Sequence, residues 1–168
     1  VPVMVDLQSS VENRSQIIQR YAASKSKVVL FVGRVDPAKG LSYLVEAADK
    51  IVNRDDYRSV LFLIVGPFGG FYKGDTNASE MRKLTRMIGQ YKLSKYIRFT
   101  GLVDKDVLQQ ILCASQIFVL PSLREGEPTV LLQALAAGKA VVATKVGSIP
   151  RRIIDGVNGL LVEPEDAE

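Results

Sequence analysis

The chain has 168 residues, 47% hydrophobic and 24% charged, a balance typical of one globular domain with a sizeable core. It has no histidine and a single cysteine, which excludes internal disulfides, zinc sites and Ser/His or Cys/His nucleophile pairs within these residues. The longest apolar runs fall far short of the roughly 20 residues that span a membrane, and the net charge of +4 suits an anionic ligand.

Short runs rich in Val, Ile and Phe alternate with longer segments of helical period, which predicts a parallel sheet wrapped by helices. The predicted strands are Val28–Val32, Val60–Val65, Ile97–Thr100, Ile117–Leu120, Ala140–Thr144 and Gly159–Val162. The predicted helices are Leu41–Val52, Ser79–Tyr91, Lys105–Ala114, Val130–Ala137 and Ile149–Ile154. This succession predicts a doubly wound, Rossmann-like α/β domain, with helices on both faces of a sheet of about six strands.

Turn residues support these boundaries. Asp36, followed by a proline, is suited to start the first helix, and Asp104 and Thr129 are suited to cap the third and fourth. Gly138 is suited to end the fourth helix in the left-handed conformation.

The two ends of the sequence suggest that it is cut from a longer protein. Val1–Asp6 is strand-like and has no initiator Met, whereas Glu163–Asp166 resembles the capped start of a helix. We therefore expect residues 1–168 to form a single domain of a longer two-domain protein.

The loop after the first strand is GRVDPAKG, Gly33–Gly40. Ligands of open parallel sheets bind at the carboxyl ends of the strands, where this loop begins. Gly33 permits a close turn, Arg34 offers a planar fork and Lys39 a point charge, and together they suit a diphosphate. Neither GxGxxG nor GxxxxGK[ST] is present, so the sequence predicts neither an NAD fingerprint nor a P-loop.

The loops after the second and third strands are less informative. GPFGGFYKGDTN is rich in glycine and is interpreted as a flexible connection. In FTGLVD, the backbone at Leu102 and Val103 can reach a ligand, although an ordinary strand-to-helix turn explains this segment equally well.

The loop after the fourth strand continues into REGEPTVLLQALAAG, which begins at Arg124. The loop brings Glu125 to the ligand edge, and the helix start at Thr129 adds positive potential suited to phosphate. The following residues are apolar apart from Gln133, so we expect a buried helix in which this amide has a partner. A ligand with a phosphate at the helix start and hydroxyls farther along would meet both Glu125 and Gln133.

The order and spacing of these loops and strands resemble those in the C-terminal half of GT-B glycosyltransferases, in particular the retaining group called family 4. The matching segments are GRVDPAKG, LFLIVG, IRFTGLV, PSLREGEPTVLLQALAAGKAVVAT and DGVNGLLVEPED. The resemblance implies a nucleotide-diphosphate sugar as donor and retaining hexosyl transfer without a metal or other cofactor. It also implies that a carbohydrate, lipid-linked or small-molecule acceptor is bound mainly by an N-terminal domain.

The resemblance assigns roles residue by residue. Arg34 and Lys39 are expected to grip the donor diphosphate and to stabilise charge on the leaving nucleotide, and Glu125 to contact the transferred sugar. These three are the predicted catalytic residues. The predicted donor-binding residues are Gly33, Arg34, Lys39, Leu102, Val103, Glu125, Gly126, Glu127, Pro128, Thr129, Val130 and Gln133, and no metal ligand is predicted.

Three residues depart from the family pattern. Gln133 replaces a second glutamate that usually holds the ribose hydroxyls, Glu127 stands where an apolar residue is common, and Arg151 where Glu is frequent. These departures leave open a different sugar donor or weakened catalysis. A second hypothesis is therefore a non-catalytic relative that binds or senses nucleotide sugars and acts through a partner.

The segment from Lys73 to Arg98 carries seven Lys or Arg against Asp75 and Glu80. A solvated helix face explains these charges, and contact with acidic lipid or nucleic acid is the alternative. Aromatic residues do not interleave with them, so we predict no nucleic-acid partner. The lone cysteine favours a reducing compartment, so we expect a cytoplasmic protein, with peripheral contact at the inner face of the membrane left open.

Overall fold

The sheet of the computed structural model has six parallel strands within the described residues, 27–68 and 76–168. The strands are β1 (Lys27–Val32), β2 (Val60–Val65), β3 (Ile97–Gly101), β4 (Ile117–Leu120), β5 (Ala140–Thr144) and β6 (Leu160–Val162). They pair in the order β3-β2-β1-β4-β5-β6. This is the strand order of a Rossmann fold, so the predicted doubly wound α/β domain is confirmed.

Four α-helices connect these strands in the described residues: α1 (Leu41–Asp49), α2 (Thr76–Gln90), α3 (Lys105–Ala114) and α4 (Thr129–Ala136). A π-helical turn, Lys50–Arg54, extends α1, and 3-10 turns lie at Pro37–Lys39 and Ile149–Arg151. With right-handed crossovers, α1 and α2 lie on one face of the sheet and α3 and α4 on the other, because the strand order reverses direction after β3.

The core follows from the hydrophobic pattern of the strands and helices. All six residues of β2, VLFLIV, are buried, as expected of a parallel strand covered on both faces. In α1, four buried residues recur at helical spacing and turn one stripe toward the sheet: Leu41, Leu44, Val45 and Ala48. The large side chains of Phe31, Phe62 and Phe118 fill the space between these layers.

The strand order reverses between β1 and β4. They are neighbours, with Val29 opposite Ile117 and Leu30 opposite Phe118, but their connections lead away in opposite directions. A crevice therefore opens beyond their carboxyl ends, where doubly wound folds bind ligands. The two loops that border it are the β1 loop, 33–40, and the β4 loop, 121–128.

Most predicted elements agree with the structure to within three residues, but the helix predicted at Ile149–Ile154 is wrong. Only a 3-10 turn forms there, and it ends at Arg151. The side chain of Asn158 explains this, because it accepts from the amide of Ile154 at 2.7 Å and donates to the carbonyl of Arg152 at 3.0 Å. These bonds replace the ones that a continuing helix would use.

The predicted helix caps have mixed outcomes. Gly138 ends α4 with φ +65°, as predicted. Asp36 accepts from the amide of Ala38 at 3.0 Å, but it caps the 3-10 turn that precedes α1 rather than α1 itself. Asp104 lies at the N-cap of α3 without a side-chain cap bond. Thr129 is not a cap, because Pro128 occupies that position and Thr129 is already helical.

Some predictions lie outside the described residues: the strand-like Val1–Asp6, part of the basic segment including Lys73, and residues 69–75 of the Gly-rich loop. The helices within the described ranges are each too short or too polar to cross a bilayer.

Candidate functional site

The β1 and β4 loops are joined by backbone contacts. The amides of Leu123 and Arg124 both donate to the carbonyl of Ala38, at 2.8 and 3.3 Å. Gly40 has φ +63°, and a Cβ added there would lie 2.0 Å from the carbonyl oxygen of Pro121. Only glycine allows so close an approach, so the two loops form one unit at the crevice.

This unit brings together two of the predicted catalytic residues, Lys39 and Glu125, which are 86 residues apart in the chain. Lys39 Nζ donates to Glu125 Oε1 at 2.6 Å, and Ser122 Oγ donates to the same oxygen at 2.8 Å. The side chains of Lys39 and Glu125 are only 18% and 8% exposed, which strengthens the attraction between their charges. We call Lys39, Ser122 and Glu125 the inner cluster.

The second carboxylate oxygen of Glu125 is left for other partners. Within the described residues, Oε2 accepts no hydrogen bond, and no buried side-chain oxygen there lacks a partner. Oε2 therefore reaches solvent, although the side chain as a whole is nearly buried. It is available to accept a hydrogen bond from a ligand hydroxyl.

Arg34, the third predicted catalytic residue, lies in a more open setting. A guanidinium nitrogen lies 3.3 Å from Oδ2 of Asp36, and the Arg34 side chain is 49% exposed. Because Asp36 also caps the Pro37–Lys39 turn, it restrains both the backbone and the arginine. Arg34 is thus placed at the edge of the crevice, where it can turn toward an anion.

Two buried hydroxyls support the β4 loop, and sequence reasoning missed both. Thr144, at the end of β5, donates to the carbonyl of Ser122 at 2.6 Å and lies 3.4 Å from that of Leu120. Ser122 and Thr144 are 0% and 2% exposed. The residue types gave no signal, because a loop serine or a strand threonine is usually a local capping or surface residue.

A third loop, 145–152, follows β5 and clamps the backbone of the β4 loop. Gly147 has φ +55°, and a Cβ there would lie 1.9 Å from the carbonyl oxygen of Glu125. The amide and hydroxyl of Ser148 donate to the carbonyl of Gly126 at 3.3 and 2.6 Å. Sequence reasoning missed Gly147 and Ser148. The position of their loop after β5, at the carboxyl edge of the sheet, was the signal that could have pointed to them.

The base of this third loop is tied to β6. The Lys145 amide donates to the carbonyl of Val162, and its Nζ donates to Oε1 of Glu163 at 2.6 Å. The hydrogen bond and the charge of Glu163 raise the pKa of Lys145. Both side chains are substantially exposed, so this pair orients the loop base without burying charge.

Glu127 forms an ion pair with Arg152 of the third loop. The two side chains are 57% and 45% exposed. Arg152 therefore partly compensates the negative charge of Glu127, the carboxylate that departs from the family pattern. Sequence reasoning did not connect these two residues. We call Arg34, Asp36, Glu127 and Arg152 the rim.

The start of α4 is open to a ligand. Pro128 is buried, and no side chain caps the helix, so the amides of Thr129 and Val130 have no side-chain acceptor. Such free amides at the positive end of a helix dipole favour an anion.

The expectation that α4 is buried on all sides is wrong. Only Leu131 and Ala134 are fully buried, and Leu132 is 40% exposed. Gln133 is half-buried, and its amide makes no hydrogen bond to any other described residue. The described part of the chain therefore supplies no partner for the Gln133 amide, which faces solvent.

A separate apolar surface lies at the ends of β2 and β3. Leu102 is 81% exposed, whereas Val103 packs partly against the core. Phe68 is 50% exposed and meets Phe99 edge to face, with 5.9 Å between ring centroids. Phe68 was missed because its Gly-rich loop was interpreted only as a flexible connection.

Comparison with known proteins identifies the family of this chain. A family model described as glycosyl transferases group 1 matches residues 26–168. The chain belongs to the group 1 glycosyltransferases.

Two curated relatives illustrate the range of proteins that the chain resembles. It is 35% identical over 141 residues to a D-inositol 3-phosphate glycosyltransferase of Corynebacterium efficiens, covering 84% of this chain and 32% of that protein. It is 27% identical over 151 residues to an alpha-D-kanosaminyltransferase of Streptomyces kanamyceticus, covering 90% of this chain and 36% of that protein. The chain spans about a third of the length of these relatives.

Two solved structures share the fold. The Anabaena protein HepE, in complex with UDP and glucose, has a TM-score of 0.82 at 26% identity, covering 94% of this chain and 40% of that one. The C-terminal domain of LpcC, a group 1 family protein of Francisella tularensis, has a TM-score of 0.75 at 30% identity, covering 98% and 82%. The predicted resemblance to GT-B glycosyltransferases is therefore confirmed.

The structure thus places predicted site residues in four sets: the inner cluster with Lys39 and Glu125, the rim with Arg34 and Glu127, helix α4 with Thr129, Val130 and Gln133, and the exposed Leu102 turn. Among residues 27–68 and 76–168, no three acidic or cysteine side chains are placed to hold one metal ion. The individual roles of these residues in a group 1 enzyme stay predictions.

Proposed function

We propose that this chain is the sugar-donor domain of a longer, two-domain, cytoplasmic group 1 glycosyltransferase. It binds a nucleoside-diphosphate sugar and supports hexosyl transfer, with retention and without a metal, to an acceptor held mainly by the other domain. The observation that carries the proposal is the Lys39–Glu125 pair, 2.6 Å apart at the switch point of the sheet and backed by the β4 loop that leads into α4.

The phosphate side of the site consists of fixed positive charge. Lys39 Nζ has three protons, so it can keep one on Glu125 while it donates others to a phosphate. The uncapped start of α4 and the long, half-exposed side chain of Arg34 add further hydrogen-bond donors. Negative charge grows on the diphosphate as the sugar leaves, and preorganised donors stabilise it most at that stage.

The sugar side is supplied by Glu125. Its Oε1 is held by Lys39 and Ser122, whereas Oε2 reaches solvent and can accept from a sugar hydroxyl. A carboxylate held in place by two donors can bind a hydroxyl without losing much further rotational freedom. Glu125 therefore orients the sugar relative to the cations that hold the diphosphate.

The nucleoside side is less polar. The solvent-facing amide of Gln133 is suited to a ribose hydroxyl, and Leu102, Val103 and the exposed ring of Phe68 offer an apolar surface for a base. An amide holds a hydroxyl with a weaker bond than a carboxylate does, so ribose binding is expected to be modest.

Calorimetric titration of the full-length protein with UDP-glucose, GDP-mannose and ADP-glucose tests sugar-donor binding. The paired changes Arg34→Ala and Lys39→Ala should weaken binding of the preferred compound. The changes Lys27→Ala and Arg58→Ala remove the same charge at the amino ends of β1 and β2, and they should leave binding unchanged. Failure of the wild-type protein to bind any nucleotide sugar would contradict the proposal.

Turnover separates an enzyme from a non-catalytic relative. Gln133 and Glu127 depart from the family pattern and motivate the second possibility. The screen therefore includes a matched acceptor, so that transfer can be detected. NMR of the product gives its anomeric configuration, and activity in excess chelator tests metal independence. Binding without transfer to any acceptor would favour the nucleotide-sugar sensor.

A peripheral membrane contact is a further proposal, supported by the exposed cations of the segment before and in β3: Lys83, Arg86, Lys92, Lys95 and Arg98. Sedimentation with vesicles containing acidic lipid tests it. Binding that persists after charge reversal at Arg82, Lys83 and Arg86 would contradict a role for this face.

A further inference from the structure

We infer that Ser122 and Thr144 are positioning residues that hold Glu125 in the orientation needed to bind the transferred sugar. The inference rests on the proposed function, because it takes Glu125 as the residue that meets the sugar. It concerns two side chains for which neither the sequence pattern nor the family resemblance gave a role.

Ser122 acts through Glu125 rather than on a ligand. Its side chain is fully buried, so it cannot touch a group bound in the crevice. Its hydroxyl donates to Glu125 Oε1 at 2.8 Å, and hydrogen bonds to a charged acceptor are among the stronger ones in proteins. The only group at the site that this proton can orient is the carboxylate.

Thr144 fixes Ser122 in turn. Its buried hydroxyl donates at 2.6 Å to the Ser122 carbonyl. The bond ties the backbone of the β4 loop to the end of β5, a strand whose own pairing with β4 runs from Ala140 to Ala143. A relay of two hydroxyls therefore connects the rigid sheet to the carboxylate.

The relay matters most when a phosphate is bound. In the free chain, Oε1 has two donors, Lys39 Nζ and Ser122 Oγ. A diphosphate competes with Glu125 for the protons of Lys39, whereas it cannot reach the buried hydroxyl of Ser122. Ser122 is thus the donor that keeps Oε2 directed toward the sugar when the diphosphate shares the protons of Lys39 and weakens its hold on Oε1.

This reasoning predicts an effect on the sugar and not on the nucleotide. In the full-length protein, Ser122→Ala should weaken binding of UDP-glucose about tenfold, the equivalent of one hydrogen bond of about 1.4 kcal/mol, and leave UDP binding within about twofold. If the donor screen selects another base, the matching diphosphate and nucleotide sugar replace this pair. Thr144→Val should weaken UDP-glucose binding in the same sugar-specific way. Thr144→Ser keeps the hydroxyl and should bind UDP-glucose as the wild-type protein does.

Ser115→Ala is the matched control. Ser115 is another buried serine, 2% exposed, whose hydroxyl donates to the carbonyl of Leu112 at 2.8 Å at the opposite end of β4. It should change thermal stability about as much as Ser122→Ala while leaving both ligands unaffected. Thr144→Val and Thr144→Ser keep the comparison available if Ser122→Ala does not fold.

The outcomes are distinguishable. Equal weakening of UDP and UDP-glucose by Ser122→Ala, or no weakening of either, would overturn the positioning role while the proposed function stands. A wild-type protein that binds no nucleoside diphosphate and no nucleotide sugar would overturn both. Sugar-specific weakening that Thr144→Ser reverses supports the relay.

Discussion

The inner cluster and the rim both pair a cation with a carboxylate, but the fold holds them very differently. In the inner cluster, Lys39 and Glu125 are 18% and 8% exposed, and Ser122 adds a buried hydroxyl to the same oxygen. On the rim, the Glu127 and Arg152 side chains are 57% and 45% exposed. The inner pair lies inside the contact between the β1 and β4 loops. The rim pair lies on the surface and links the β4 loop to the third loop.

This difference separates what the fold requires from what a ligand can rearrange. An exposed ion pair contributes about 0–1 kcal/mol to stability, so Arg152 and Glu127 can part at little cost when an anion arrives. A nearly buried charge that loses its partner costs about 1–3 kcal/mol or more. Stability and the proposed binding of a sugar donor therefore constrain the same residues in the inner cluster, while the rim can vary with the ligand.

The largest effect is expected where the loops touch backbone to backbone. Gly147→Ala would place a Cβ 1.9 Å from the Glu125 carbonyl oxygen at φ +55°, and should cost more than about 3 kcal/mol of unfolding free energy. Gly138→Ala is the control, because its φ is +65° but its surroundings are open, so it should cost about 1–2 kcal/mol. Urea denaturation measures both, and equal losses would mean that the third loop is not seated on Glu125.

Removing the inner charge should have the next largest effect. Glu125→Gln keeps the size of the side chain but weakens the bonds from Lys39 and Ser122, and should lower kcat of the full-length enzyme about 10²- to 10³-fold. Glu127→Gln on the rim is the matched change and should alter kcat only slightly. Steady-state kinetics with the preferred sugar donor compares them, and similar losses for both would remove the distinction between inner cluster and rim.

Gln133→Glu tests a side chain whose burial lies between that of the inner cluster and that of the rim. Gln133 is half-buried, and its amide faces solvent. A charged acceptor binds a ribose hydroxyl more strongly, so affinity for the nucleotide should rise about fivefold, close to 1 kcal/mol. Calorimetry with the nucleoside diphosphate gives the answer directly. Unchanged affinity would assign Gln133 to structure alone.

The smallest effect is expected from Arg152→Ala. Loss of the exposed pair with Glu127 should change the unfolding free energy by less than about 1 kcal/mol, and the change should shrink further in about 1 M salt, where charges are screened within about 3 Å. Urea denaturation at low and high salt measures this. A loss of unfolding free energy as large as that of Gly147→Ala would show that the rim is part of the structural core of the site.

Local sequence was enough for the elements and for the arrangement of the loops. The bounds of β2 and α3 match the prediction to the residue, because VLFLIV and KDVLQQILCA have unambiguous strand and helix patterns. The prediction that the β1 and β4 loops both lie at the ligand edge followed from the doubly wound fold. Sequence could not predict that Thr144 bonds to Ser122, or that Gly147 touches Glu125, because these contacts join separate loops and depend on their final distances.

The 86-residue separation of Lys39 and Glu125 also has a consequence for how the protein is made. Contacts of such high sequence separation form only after the closure entropy of the intervening chain has been overcome. On the ribosome, a nascent chain that has not yet exposed Thr144 and Gly147 contains both charged residues but lacks the strand and loop that hold them. The proposed binding site is therefore completed only after β5 and the third loop have been synthesised, and capture of a nucleotide sugar would report that the sheet has closed as far as β5.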